Sequence, residues 1–236
     1  MKKISLTAVA FLMSGTAFAG DYSTAANDRP LTKPSGMTQI NAAVNAVGIR
    51  SVGFSADYGV SDTMDVSVGL PSYMLGDEEA GLEGGIQKAL GVGVGYGLVD
   101  GDELDVAAGL NVPLSFEEGA SLLPSVGIDA DTRYLLMDGA LALRTGHGLI
   151  NYMLGEASVL MIGLNFGVTY QVTDAINVDV DTNLLSMAGE TTTSIADAQL
   201  IDVGVGYNMD DIDIGLKVID ATGEARGVGV HVGYRL

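Results

Sequence analysis

Apolar and polar residues alternate strictly along most of this chain, and tyrosines punctuate the alternation at a near-constant interval. Tyr58, Tyr96, Tyr134, Tyr170 and Tyr207 lie 38, 38, 36 and 37 residues apart, each just ahead of an Asp-bearing turn segment, and Tyr234 stands two residues before the C-terminus. A period of two is the mark of a strand with one apolar face. The repeating unit is therefore a long hairpin. Val52, Phe54, Ala56, Tyr58 and Val60 share one face of the first hairpin against Gly53, Ser55, Asp57 and Gly59; after Ser61-Asp62-Thr63, Met64, Val66, Val68 and Leu70 oppose Asp65, Ser67 and Gly69. The cleanest pair sets Leu160, Ile162, Leu164, Phe166, Val168 and Tyr170 beside Ile176, Val178, Val180 and Thr182, with Asn177, Asp179, Asp181 and Asn183 on the other face.

Five such hairpins, an opening strand around Ile40, Ala42, Val44 and Ala46, and a closing one through Val228, Val230, Val232, Tyr234 and Leu236 make twelve strands. Ten or fourteen remain alternatives, because the connections near Val47 to Arg50 and Asn151 to Glu156 are brief. An even number returns both ends of the chain to one side, as antiparallel closure requires. The turns beside the tyrosines are short, and Asp138-Gly139 is a strong tight-turn pair. The opposite connections near Leu75 to Gly85, Ser115 to Ser121, Met187 to Asp197 and Asp220 to Arg226 are longer.

Alternation does not by itself say which face points inward. Residue choice does: a solvated sheet would carry long Lys, Glu and Thr side chains, whereas the polar face here is mostly Gly, Asp, Asn and Ser, which are poor strand formers. Such residues suit an enclosed lumen. A ring of tyrosines at one level suits a membrane-water interface. The fold expected is all-β, an antiparallel up-and-down transmembrane β-barrel over residues 37–236. Residues 1–19, with Lys2, Lys3, a short apolar stretch and Ala17-Phe18-Ala19, read as a signal peptide cleaved after Ala19. Residues 20–36, aperiodic and with Pro30 and Pro34, read as a periplasmic lead-in. Each apolar stretch falls short of the roughly 20 residues of a spanning helix.

Without the leader, nine Lys and Arg stand against 30 Asp and Glu, a formal charge of −21. Phosphate contacts need clustered bases, so nucleic acid is excluded as a partner. No cysteine is present, which removes disulfides and thiolate metal sites. With apolar residues facing lipid, the parity places Asp57, Asp65, Asp105, Asp129, Asp131, Asp179, Asp181, Asp202 and Asp213 in the lumen with Arg133, Arg144, Lys217, His231 and Arg235. Tyr58, Tyr96, Tyr134, Tyr170, Tyr207 and Tyr234 form the outer girdle. Charged linings set ion preference, so an open lumen would favour cations and small neutral solutes; the same groups could instead pair into a plug. The Asn177-to-Asn183 ladder is too extended to converge on a metal ion, and no metal or cofactor is expected. Gly91 to Gly97 keeps period two within a strand, unlike a dinucleotide loop. An enzyme needs an activated nucleophile, and only His147 and His231 could serve as imidazole bases, so no catalytic residue is assigned.

The leader, hairpins, short Asp turns and alternating final strand together resemble Gram-negative outer-membrane β-barrel proteins of the porin-like class. The resemblance implies an outer-membrane location, contact with lipid and lipopolysaccharide, and insertion by the barrel-assembly machinery, for which Val230 to Leu236 looks like the signal, although it closes on Leu rather than an aromatic residue. Acidic stretches Asp77-Glu78-Glu79 and Glu117-Glu118 could meet divalent cations at that surface. The leading functional expectation is passive diffusion of small hydrophilic solutes or cations through an acidic lumen. The alternative is a non-conducting structural or surface-interaction barrel.

Overall fold

A computed structural model describes residues 23, 25–45, 51–74, 85–86, 88–118, 121–145, 150–153, 159–188, 200–209, 211–219, 221 and 227–236. Residues 1–22, which include the expected signal peptide, His147 and most of the long connections lie outside this set. Twelve antiparallel strands are present: β1 (Thr38–Asn45), β2 (Ser51–Ser61), β3 (Met64–Gly69, continued by Tyr73–Met74), β4 (Gly85–Ile86 and Ala89–Asp100), β5 (Leu104–Ser115) and β6 (Ser125–Leu136). They continue as β7 (Leu141–Thr145 and Ile150–Met153), β8 (Val159–Thr173), β9 (Ile176–Ala188), β10 (Leu200–Asn208), β11 (Ile212–Ile219) and β12 (Gly227–Arg235). Both pieces of β7 pair with β6 on one side and β8 on the other, so they form one strand of the sheet.

Each strand pairs with its sequence neighbours, and β1 closes the sheet on β12 through the register Gln39↔Arg235 to Asn45↔Gly229. The seam is extended by reciprocal hydrogen bonds between Thr38 and Leu236, at 3.2 and 2.8 Å. Closure leaves no sheet edge with unpaired amide groups. The expected architecture and the count of twelve both hold. The strands run further toward the loop end than alternation indicated. Ile150–Met153, Gly85–Ile86, Ser115 and Met187–Ala188 are paired strand rather than connection, because backbone pairing continues after the side-chain pattern has faded.

At the tyrosine end the turns are tight. Ala140 donates to the Met137 carbonyl at 3.2 Å, with Asp138 at φ 55° and Gly139 at φ 85°. Two successive positive φ values make the turn that matches strand twist, and the Asp-Gly pair supplies them at low steric cost. Irregular registers fall just before three other turns, at Gly59/Ser61, Gly97/Val99 and Gln171/Thr173.

The wall is apolar outside and polar inside. Val94 and Val205 are 39% and 48% exposed, while Gly93 and Gly204 next to them are buried. Among the described residues the buried apolar side chains are only Ala26, Met37, Ala89, Ala107 and Ala142, so no hydrophobic core fills the barrel. Buried residues are instead Asp, Asn, Thr, Arg, Lys and Gln. Exposed outer positions of this kind normally tolerate substitution within about 0.5 kcal/mol in water. In a bilayer the same position meets hydrocarbon. Val230→Arg, at an exposed position four residues along β12 from Tyr234, is expected to cost about 2–4 kcal/mol when unfolding is measured in phosphatidylcholine vesicles, and a change within noise would show that this face is solvated.

Candidate functional site: the barrel lumen

None of the fourteen ionisable side chains expected in the lumen from parity is exposed. Asp57, Asp105, Asp129, Arg133, Asp179, Asp202, Asp213 and Arg235 are buried, and Asp65, Asp131, Arg144, Asp181, Lys217 and His231 are half-buried. The six girdle tyrosines are 40–51% exposed on the outer surface.

The inward polar side chains lie along the wall rather than across the lumen. Antiparallel register sets Asp65 opposite Gly95, Ser67 and Asn111 opposite Gly93, Asp181 opposite Gly167 and Asn177 opposite Gly206. A Cβ at any of these glycines would overlap the side chain lying over it. His231 covers Gly215 in the same way. Each glycine is thus a slot into which its partner folds flat, and the alternation of Gly with Asp or Asn keeps a polar wall thin.

Electrostatics binds the wall together. The Arg133 Nε donates to Asp105 Oδ2 at 2.8 Å. Beside it, from β7, the strand paired with β6, Arg144 reaches Asp181 at 2.9 Å and Asp179 at 3.3 Å, and from β11 Lys217 reaches Asp181 at 3.2 Å and Asp202 at 3.4 Å. Thr169 and Asn177 donate to Asp179 at 2.7 and 3.0 Å, and Asn208 donates to Asn177 at 3.0 Å. The Asn177-to-Asp181 ladder therefore holds bases and amides. Among the described residues, no group of His, Cys, Asp or Glu is arranged to hold a metal ion. A cavity of about 50 Å³ lies against this wall, bordered by Asn177, Asp179, Asp181, Asp213, Lys217 and His231 and, from the N-terminal segment, Ala26.

Sequence reasoning missed the residues that the N-terminal segment brings to the lumen. Residues 25–36, with one 3-10 turn at Ala26–Asp28, fold back into the tyrosine end of the barrel. Asn27, Arg29, Thr32 and Lys33 are at most 4% exposed. The Asn27 amide donates to Gly139 O at 2.8 Å, Arg133 donates to Ala26 O at 3.3 Å, and the Lys33 amide donates to Asp65 Oδ2 at 2.8 Å. Arg29 donates to Asp213 Oδ1 at 2.8 Å, and Arg235 approaches the same oxygen at 3.1 Å. Gly36 donates to Gly59 O at 2.8 Å, and a Cβ on Gly59 would collide with the Pro34 carbonyl. The segment thereby touches β2, β3, β6, β11 and the β6–β7 turn.

Counting Arg29 and Lys33, nine acids face six bases among the described lumen groups, against four bases expected from strand parity. The signal was present in composition. Two of the nine bases outside the leader fall within five residues, Arg29 to Lys33, in a strongly acidic chain.

A closed antiparallel barrel with an apolar exterior, an exposed tyrosine ring and a polar interior has the fold of the outer-membrane porins. Among solved structures it is similar to the KdgM porin (TM-score 0.56, 9% identity, covering 83% of this chain and 98% of that one) and to the NanC porin (0.55, 12%, 83% and 97%). It is also similar to the COG4313 outer membrane channel from Pseudomonas putida F1 (0.54, 11%, 94% and 100%). At such low identities the superpositions show a shared fold and nothing finer. No family model and no curated protein sequence matches the chain.

Burial pushes the Lys33 ammonium down from 10.5 to about 8, against the opposing pull of Asp57, Asp65 and Asp213 and with a small assisting push from Arg29. Desolvation wins, so the protonated lysine is less stable seated than hydrated. In the seated state the proton leaves above about pH 8; in the released state it stays until about 10.5. The released state binds more protons in that window, so seating strengthens as pH rises through it. Protease cleavage within residues 25–36 of the folded barrel is expected to slow from pH 7.5 to pH 9.5, after normalisation to an unstructured peptide of the same sequence.

Proposed function

We propose that this chain is an outer-membrane channel for the passive diffusion of small hydrophilic solutes, with preference for cations. The observation that carries this reading is the thin polar wall, in which acids and amides fold flat over glycines instead of meeting at the axis. A structural plug would use large side chains that interdigitate, as interiors do elsewhere. Here apolar filling is missing among the described residues, and acids exceed bases on the inward face. A surplus of fixed negative charge attracts permeant cations and repels anions. One similar structure is the KdgM porin in complex with disordered oligogalacturonate (TM-score 0.54, 9% identity, 83% and 98% coverage). That ligand is a polycarboxylate, and this wall has the wrong sign for it. Catalysis finds no support: the described histidine, His231, lies over Gly215 in the wall.

Planar-bilayer recording tests the proposal. Discrete steps with a reversal potential favouring potassium over chloride are expected. The double substitution Asp179→Asn, Asp181→Asn removes two carboxylates beside Arg144 and Lys217 and is expected to weaken or invert the preference. Folded protein that carries no current, with the N-terminal segment seated or displaced, would favour a non-conducting envelope barrel instead.

A further inference from the structure

We infer that residues 25–36 form an autoinhibitory strap across the tyrosine end of the barrel, with Arg29 occupying a guanidinium subsite at Asp213 that free guanidinium-bearing solutes take when they displace it. The inference rests on the channel reading for its purpose, but its chemistry stands on the seated segment.

The wall is shaped for this occupant. Gly59 leaves the space that the Pro34 carbonyl fills, and Gly97 leaves space beside Thr32. The subsite is nevertheless incompletely used. The Asp213 side chain is 4% exposed, and its Oδ2 has no hydrogen-bond partner; Arg29 Nη1 has none either. A guanidinium and a carboxylate pair best through two parallel hydrogen bonds. Arg29 reaches only Oδ1, because its backbone is held by the strap. Asp213 also borders the small cavity beneath Ala26, so a free guanidinium, unrestrained by a backbone, could engage both oxygens from that side.

Departure of the strap leaves its partners on the wall held: Asp57 loses the nearby Lys33 charge but keeps the Asn41 amide at 2.7 Å. Arg235, on β12, approaches Asp213 Oδ1 at 3.1 Å, so Asp213 keeps a cationic partner. Asp65 loses the Lys33 amide but is itself half-buried and open to water. Removing one partner of a buried pair costs heavily only where the other charge is left alone. The buried Lys33 ammonium opposes seating at neutral pH, as its desolvation shows. The seated state is therefore poised for competition.

The chain has no cysteine, so Thr32→Cys in the full-length barrel supplies a unique buried thiol whose maleimide labelling reads strap release without any current. Agmatine, which carries a guanidinium, is expected to raise the labelling rate several-fold and saturably, beyond the effect of potassium chloride at equal ionic strength. Asp213→Asn should remove the saturable part, and Gly59→Ala, which disturbs neither ion pair, should give fast labelling without agmatine. Equal acceleration by agmatine and by potassium chloride would mean charge screening only and would overturn the subsite. Slow labelling in Gly59→Ala would overturn the strap. Should labelling behave as expected while neither wild type nor Gly59→Ala carries current, the strap stands and the channel reading falls.

Discussion

Closure of β1 on β12 is the constraint from which the rest follows. A sheet that ends in open edges has amide groups that must meet water, and such a sheet cannot sit in hydrocarbon. Once the seam from Gln39↔Arg235 to Asn45↔Gly229 is made, the backbone is satisfied all round and the side chains are free to sort by face. Valine, leucine, isoleucine and tyrosine then take the outside, and glycine, aspartate and asparagine the inside. The arrangement is the inverse of a soluble barrel: among the described residues the largest fully buried side chains are Arg29, Lys33, Gln39 and Thr169.

The inner wall shows how composition and register cooperate. Aspartate and asparagine are weak strand formers, yet the sheet accepts several of them because they lie over a glycine on the neighbouring strand, as Asp181 does over Gly167. The same pairing places carboxylates within reach of bases that tie strands together across an intervening one, Arg144 on β7 to Asp179 and Asp181 on β9 over β8. Removing either party would open gaps of different kinds. Without glycine the side chain stands into the lumen; without the base, like charges on one wall repel.

Strand faces were readable in the sequence because period two fixes every position from any one of them, so Asp57, Asp129 and Arg235 could be placed without knowing their neighbours. The Asp138-Gly139 turn was readable for a local reason, the two positive φ angles. The N-terminal segment was not. It has no periodicity, and what holds it is long-range: Arg29 meets Asp213, 184 residues away. Nothing local to Gly59 distinguishes it from the other wall glycines, although among the described glycines it is the one that meets a carbonyl of the segment at close approach. The strand bounds at the loop end were overlooked for a related reason, since Ile150–Met153 is held by pairing on both sides and not by its own pattern.

The N-terminal segment's partners are scattered along the chain, on β2, β3, β6 and β11, and they converge only when the cylinder is complete. Its resting place therefore does not exist during biogenesis until the last seam zips. A nascent barrel must pass through that final stage wet and unobstructed, and the first residues of the folded chain become the last to find their position.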